Sequence, residues 1–212
     1  MRPIPSAPSA LLALVAITCA APSAGEWKPE PLSRADETAA ALEACPSVLR
    51  EQAGVYVLTG EGYELARPSG NGFHAVVERS QPDAFEPQCL DAEGSRTTLQ
   101  EILLRGELQM SGRSTEEIRA ELGAAWREGR LQAPGRPGIN YMLSERNRVP
   151  ISPDQVISYQ PHVMFYAPYL TDADIGGDPR GGGSPVFVVN QGAPSAYVIV
   201  PVGHADEGGS AH

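Results

Sequence analysis

The stretch "GVYVLTGEGYELARPSGNGFHAVVERS", residues 54–80, is rich in β-branched and aromatic residues and is broken twice by glycine. Such residues at alternate positions suit a pleated strand with one buried face. The breaks "GEG" and "PSGNG" supply the positive-φ residues that tight hairpin connections need. Three strands are therefore expected, over 55–59, 63–67 and 73–79.

On the N-terminal side, Ser33 caps a helix expected over 34–44, with Asp36 and Glu37 in its first turn. Pro46 opens a short turn through "SVLREQ". On the C-terminal side, residues 80–97 read as a loop around Cys89, followed by two helices. Thr98 with Glu101, and Ser114 with Glu117, have the hydroxyl-to-carboxylate spacing of a capping box. Leu99, Ile102, Leu103 and Met110 form one apolar stripe, and Ile118, Leu122, Ala125 and Trp126 another. With the short connector "SGR" between them, the segment is an αα-hairpin. Beyond "QAPGRPG", the runs "INYMLS", "VISY" and "HVMFY" read as strands, although "HVMFYAPYL" also fits a helix. "PVFVVN" and "AYVIVPV", joined by "QGAPS", make a terminal hairpin. The order of strands, helices and strands gives an α+β fold: a mainly antiparallel sheet, an inserted αα-hairpin and one short N-terminal helix.

The first residues carry a different message. "MRPIPSAPSALLALVAITCAAPSAGEWKPE" has Arg2 as its early positive charge and no acid before Glu26. Its apolar stretch from Ala10 to Ala21 is about a dozen residues, short of the ~20 a membrane-spanning helix needs. Small residues follow, so residues 1–24 are expected to be a signal peptide cleaved between Ala20 and Ala24. Cys19 raises lipid anchoring as an alternative, but the preceding "AIT" lacks the leucine and small residue usual before an acylated cysteine. Residues 25–33 are then a Pro-broken lead-in, 34–203 a single domain and 204–212 a loose tail. No second hydrophobic run exists, so no stable membrane insertion is expected after cleavage. The setting is periplasmic or extracellular.

Of the 212 residues, 26 are acidic and 16 basic, a net charge of −10. Such a surface repels phosphate backbones, and nucleic acid is excluded as a partner. "RGELQMSGRSTEEIRAELGAAW" imitates a helix-turn-helix. However, residues 97–130 hold six acids and five bases, with no basic recognition helix after "LG". The two cysteines left in the mature chain, Cys45 and Cys89, form an even count in an exported protein and are expected to pair.

Candidate chemistry is sparse. "TDADIGGDPRGGG", residues 171–183, offers Asp172, Asp174 and Asp178 as metal ligands. Yet calcium in an EF-hand-like loop needs a carboxylate at position 12, counted from Asp172, and that position is Gly183. A polar turn explains the same letters, and no cofactor is expected. His74 and Glu78 have the i, i+4 spacing of a helical metal pair, but on a strand four residues span ~13 Å, too far for one ion. They share a sheet face instead. His162 lies among Tyr159, Phe165, Tyr166 and Tyr169, and near Asp172 and Asp174. Aromatic faces with one titratable group have the character of a pocket wall. If there is a site it is expected there, with His74 and Glu78 as contributors from the earlier sheet. No G-x-S-x-G elbow surrounds Ser184, and no P-loop or dinucleotide fingerprint is present. His204 and His212 fall in the tail.

Taken together, "NGFHAVVERS", "PQCLDAEGS", "RPGINYMLS" and "HVMFYAPYL" resemble a group of exported bacterial proteins of unassigned function. The resemblance runs from about Gly54 to Val202. It implies a bacterial, envelope-associated or secreted origin and carries no activity or catalytic residue with it. The expectation is a non-catalytic exported domain that binds a small molecule or an envelope partner. The alternatives are an envelope hydrolase or metal-assisted enzyme at His162 and the 172–178 loop, and a structural protein whose hairpin at 185–202 pairs with another chain.

Overall fold

Ser33 opens the first helix, as its sequence position predicts. In the computed structural model, which describes residues 27–152, 154–177 and 186–202, its hydroxyl accepts the Asp36 amide at 3.1 Å and caps α1 (Arg34–Glu43). The expected signal segment, Cys19, Asp178, and the tail with His204 and His212 lie outside the described residues. A short α2 (Ser47–Arg50) leads to β1 (Gly54–Thr59), which forms an antiparallel hairpin with β2 (Gly62–Arg67). Gly62, at φ 126°, supplies the turn conformation that side chains avoid.

The expected second hairpin does not form. β3 (His74–Glu78) returns beside β1 in parallel, with Gly54 opposite His74 and Val55 opposite Ala75. "PSGNG" is thus part of a crossover. The reason lies in the side chains: Ala75, Val76 and Val77 are buried on both faces of the sheet, whereas β2 exposes Leu65. A strand apolar on both sides belongs in the interior, and the half-polar β2 is displaced to the rim.

Residues 80–97, expected as a loop, hold a strand and a helix. β4 (Glu86–Leu90) pairs antiparallel with β3 along its whole length. Pro87 conceals it in the sequence, because proline is rare inside sheets. Proline is tolerated here because β5 (Ile139–Met142) reaches only Cys89 and Leu90, so Pro87 lacks a ladder partner on that side. Asp91 then accepts the Gly94 amide at 2.8 Å and caps α3 (Ala92–Arg96). Gly94 is fixed by proximity, since a Cβ there would lie 1.7 Å from the Tyr166 hydroxyl.

α4 (Thr98–Met110) and α5 (Thr115–Arg127) are the expected hairpin. The Ser114–Glu117 capping box is present in both directions, at 3.2 and 2.9 Å. The Thr98–Glu101 box is not: Thr97 is the cap residue, and its hydroxyl donates back to the Glu93 carbonyl at 2.7 Å. The remaining elements are β6 (Arg148–Ser152), β7 (Gln155–Ser158), β8 (His162–Tyr166), the single turn α6 (Asp172–Ile175), β9 (Phe187–Val189) and β10 (Tyr197–Pro201). β6, unforeseen because Pro150 interrupts it, pairs with β7 in a separate ribbon. β8 is extended, and the helical reading of "HVMFYAPYL" is discarded.

The main sheet runs β2-β1-β3-β4-β5-β8-β10-β9. Every described pair in it is antiparallel except β1–β3. One face presents Val55, Val57, Ala75, Val77 and Cys89 to the small side chains of α1. The opposite face presents Val76 and Leu90 to Leu99 and Ile102 of α4. Each such aliphatic, fully buried, stabilises the fold by roughly 1.5–3 kcal/mol. α5 caps α4 from outside through Ile118, Leu122 and Ala125.

Two polar devices lock α1 down. Cys45 and Cys89 form the expected disulfide, at a sequence separation of 44 and both fully buried. Closing such a loop restricts the unfolded chain by about 4 kcal/mol. Glu37 and Arg79 form a buried ion pair at 2.8 Å. Gln109 of α4 donates to the Arg79 carbonyl at 2.7 Å, so the pair also ties in the opposite layer.

Candidate functional site

The face that α4 covers is covered only in part. Along the register, His74, Val76 and Glu78 of β3 point to the same side as Leu90, Gln88 and Glu86 of β4. That side continues through Asn140 and Met142, His162 and Met164, and Ile199. α4 packs over the β3–β4 end through Leu99 and Ile102. At the other end Met142, Met164 and Ile199, with Phe187, Val189 and Tyr197, form an apolar cluster made of strand residues alone. Between the two lies a cavity of about 410 Å³, its rim completed by Ser80, Asn147, Val149 and Tyr159.

Its polar side is a connected hydrogen-bond network. Asn140 Oδ1 accepts the Cys89 amide at 3.2 Å, and its Nδ2 donates to Gln88 Oε1 at 2.6 Å. Gln88 Nε2 donates in turn to Glu78 Oε2 at 2.6 Å. Arg105 on α4 lies between two carboxylates, 3.3 Å from Glu78 and 2.8 Å from Glu101. Trp126 of α5 donates to the other Glu101 oxygen at 3.2 Å. Amides and guanidinium here have their orientations set by partners that are themselves held.

Three groups of the lining are exceptions: Asn147 Oδ1 and Arg105 Nε, the latter 3.3 Å from Glu78, are buried without a hydrogen-bond partner, and so is Oε2 of Glu86. Glu86 stands directly opposite Glu78 across the β3–β4 pair, at a Cβ separation of about 5 Å. Burial first, and then the charge of Glu78, push its carboxyl up to about 8, against the opposing pull of Ser80 and Arg105. Burial also raises Glu78, with Arg105 acting against it. The Tyr197 hydroxyl is raised by burial and by the neighbouring carboxylates Glu86 and Glu78. Near neutral pH Glu86 therefore retains its proton, facing a Glu78 carboxyl that burial also raises.

His162, expected as a pocket wall, lines this cavity and is 5% exposed. Burial lowers its pKa. Its Nδ1 lies 2.9 Å from the Gln160 carbonyl, which can only accept, so Nδ1 carries the hydrogen and Nε2 is an acceptor. Tyr159 and Tyr166 line the cavity with it, while Phe165 and Tyr169 point elsewhere and are exposed. Glu78 contributes from the earlier sheet as expected. His74 does not: it sits at the far end of β3, 3.0 Å from the Ser95 hydroxyl and against Tyr56. His74 and His162 lie three strand spacings apart and two residues out of register, about 16 Å.

Within the acidic loop, Asp172 and Asp174 serve the fold. Asp172 is buried, and its carboxylate accepts the Val188 amide and the Gln191 side chain, each at 2.6 Å. Asp174 accepts from both the amide and hydroxyl of Thr171, closing a capping box. Among the described residues, no three His, Cys, Asp or Glu side chains converge to hold a metal ion.

Sequence reasoning missed Glu86, Gln88, Glu101, Arg105 and Asn140. Glu86 and Gln88 alternate about Pro87, a signal that becomes legible only once β4 is recognised as a strand. Glu101 and Arg105, four residues apart on a helix, imitate an ordinary surface pair. Comparison with known proteins returned no match to a family model, a curated protein or a solved structure.

Proposed function

We propose that the protein is an exported domain that binds a small molecule in this cavity and holds it without catalysis. The cavity carries the reading. At about 410 Å³ it falls in the size range of small-molecule sites, with an apolar wall facing a few oriented polar groups. Gln88, Asn140, Glu78, Glu101 and Arg105 are held by one another, a fixed arrangement suited to positioning a ligand. Export draws its support from the apolar N-terminal segment and the Cys45–Cys89 bond, which persists in oxidising compartments. Among the described residues no helix is long and apolar enough to cross a membrane.

Methyl-labelled methionine makes the test direct, because Met142 and Met164 lie in the cavity wall. A library of small fragments should contain binders that shift both methyl resonances, and Ile199→Trp, which fills the cavity, should abolish those shifts. Binders that move other resonances and survive Ile199→Trp would place the site elsewhere and overturn the reading.

One observation favours an enzyme as second reading: Glu86, held protonated, stands directly opposite a second carboxyl, Glu78, an arrangement that can divide acid and base roles. A hydrolase of this kind would use Glu86 to protonate a leaving group and Glu78 or His162 Nε2 to activate water. Turnover of envelope glycans or peptides that is lost in both Glu86→Gln and Glu78→Gln would establish it in place of simple binding.

A further inference from the structure

We infer that the ligand of this cavity is a small cation, an ammonium or guanidinium group on an apolar body, seated with its charge against Glu86 and Glu78. The inference rests on the cavity being a ligand site and names what that site selects.

Three carboxylates line the cavity, from Glu78, Glu86 and Glu101, and one guanidinium, from Arg105, is shared between the first and the last. Arg148 also reaches the rim, but its guanidinium lies over the Phe85 ring at 5.1 Å and its Nε donates to the Asp83 carbonyl. Glu86 Oε2 is left buried without a donor. A buried acceptor in that state is costly, and the deficit is filled either by a proton or by a donor brought in from outside. An incoming ammonium N–H fills it and returns Glu86 to its ionised form. The exchange is balanced: the neutral Glu86 carboxylic acid and the free ammonium ion become a carboxylate–ammonium ion pair, and the carboxyl proton passes to solvent.

The opposite wall fixes the rest of the molecule. Met142, Met164, Ile199 and Phe187 offer an apolar surface, and the Tyr197 and Tyr159 rings border the carboxylates, a setting that favours organic cations over strongly hydrated ones. A bare metal ion fits poorly, because among the described residues no three acidic, His or Cys side chains converge. Anions are disfavoured because the Arg105 guanidinium is already shared between Glu78 and Glu101 and that of Arg148 lies over Phe85.

The titratable groups that line the cavity with Glu86 are few. Glu78 comes from β3, Glu101 and Arg105 from α4, Arg148 from β6, His162 and Tyr166 from β8, Tyr197 from β10, and Tyr159 from the segment between β7 and β8. Burial keeps His162 neutral, and Tyr159 and Tyr197 are raised. The Glu86–Glu78 pair is therefore what exchanges a proton near neutrality.

Three probes that share a phenyl ring separate the possibilities on the unsubstituted chain: phenethylammonium, 2-phenylethanol and phenylacetate. Each is titrated by calorimetry in two buffers of different ionisation enthalpy, with the Met142 and Met164 methyls watched by NMR. The cation should bind at least about tenfold more tightly than the alcohol, shift both methyls, and release close to one proton per molecule bound at neutral pH. In Glu86→Gln the preference and the proton release should both vanish while the alcohol still binds. Alcohol or phenylacetate binding as tightly as the amine, with both methyls shifted, overturns the cation assignment and leaves the cavity reading standing. Silence of both methyls with all three probes at millimolar concentration overturns both.

Discussion

Replacing Glu86 with glutamine should make the protein more stable, and increasingly so as the pH rises. In the folded chain burial and Glu78 push the Glu86 carboxyl from its ordinary 4.5 up to about 8. Below about pH 4.5 it is protonated both folded and unfolded and contributes nothing. As pH rises, the unfolded chain ionises first while the folded chain retains its proton, so stability falls until the folded group itself ionises near pH 8. Each pH unit in that window is worth about 1.4 kcal/mol, which sets a ceiling of about 5 kcal/mol at the alkaline end and roughly 3 at neutrality. Solvent entering the cavity screens part of this, and about 2 kcal/mol is the expected gain for Glu86→Gln at pH 7. Glu78, also raised by burial, slopes the same way and remains in the variant. Urea unfolding at a series of pH values measures both curves. They should meet near pH 4.5 and diverge with the variant above. A variant no more stable than the parent at pH 7–8 would show that Glu86 is solvated, and the reasoning about its unmet hydrogen bond would fail.

Other expectations test the frame around the cavity. Replacing Cys45 and Cys89 together by alanine should cost about 4 kcal/mol in chemical denaturation, mostly through the unfolded chain. Alkylation of native material followed by intact-mass measurement should find neither thiol free. Arg79→Met leaves Glu37 buried and uncompensated and should cost about 3–5 kcal/mol by the same unfolding measurement, well beyond a surface arginine such as Arg113. Ser114→Ala removes half of a formed capping box and should lower stability by about 1 kcal/mol, whereas Thr98→Ala, where no box forms, should fall within about half that.

Much of the frame could be read from the residues. The run "HAVVE" declares an extended strand, though not its burial on both faces, and from its extension alone His74 and Glu78 share a face without sharing an ion. The cysteine count gave the pairing of Cys45 with Cys89, and the aromatic setting of His162 placed it at a cavity. The difficulty began where one residue broke a pattern. Pro87 made β4 look like a loop, and with β4 went the knowledge that Glu86 opposes Glu78. Asp172 and Asp174 show the converse: alternate acids imitate an ion-binding loop, yet one accepts a strand amide from inside and the other caps a single helical turn. The role of Asp172 depends on Val188 and Gln191, contributed from beyond a connection, and spacing along the chain cannot reveal it; that of Asp174 is local, through Thr171 three residues before it.

β4 carries its sulfur and its carboxyl on opposite surfaces. Cys89 faces α1, while Gln88 and Glu86 on the same backbone form part of the cavity floor. A covalent anchor behind the floor limits how far Glu86 can swing from Glu78, so the spacing of the two acids is held in part by the Cys45–Cys89 bond. Breaking that bond would therefore loosen the cavity floor before it unfolded the chain.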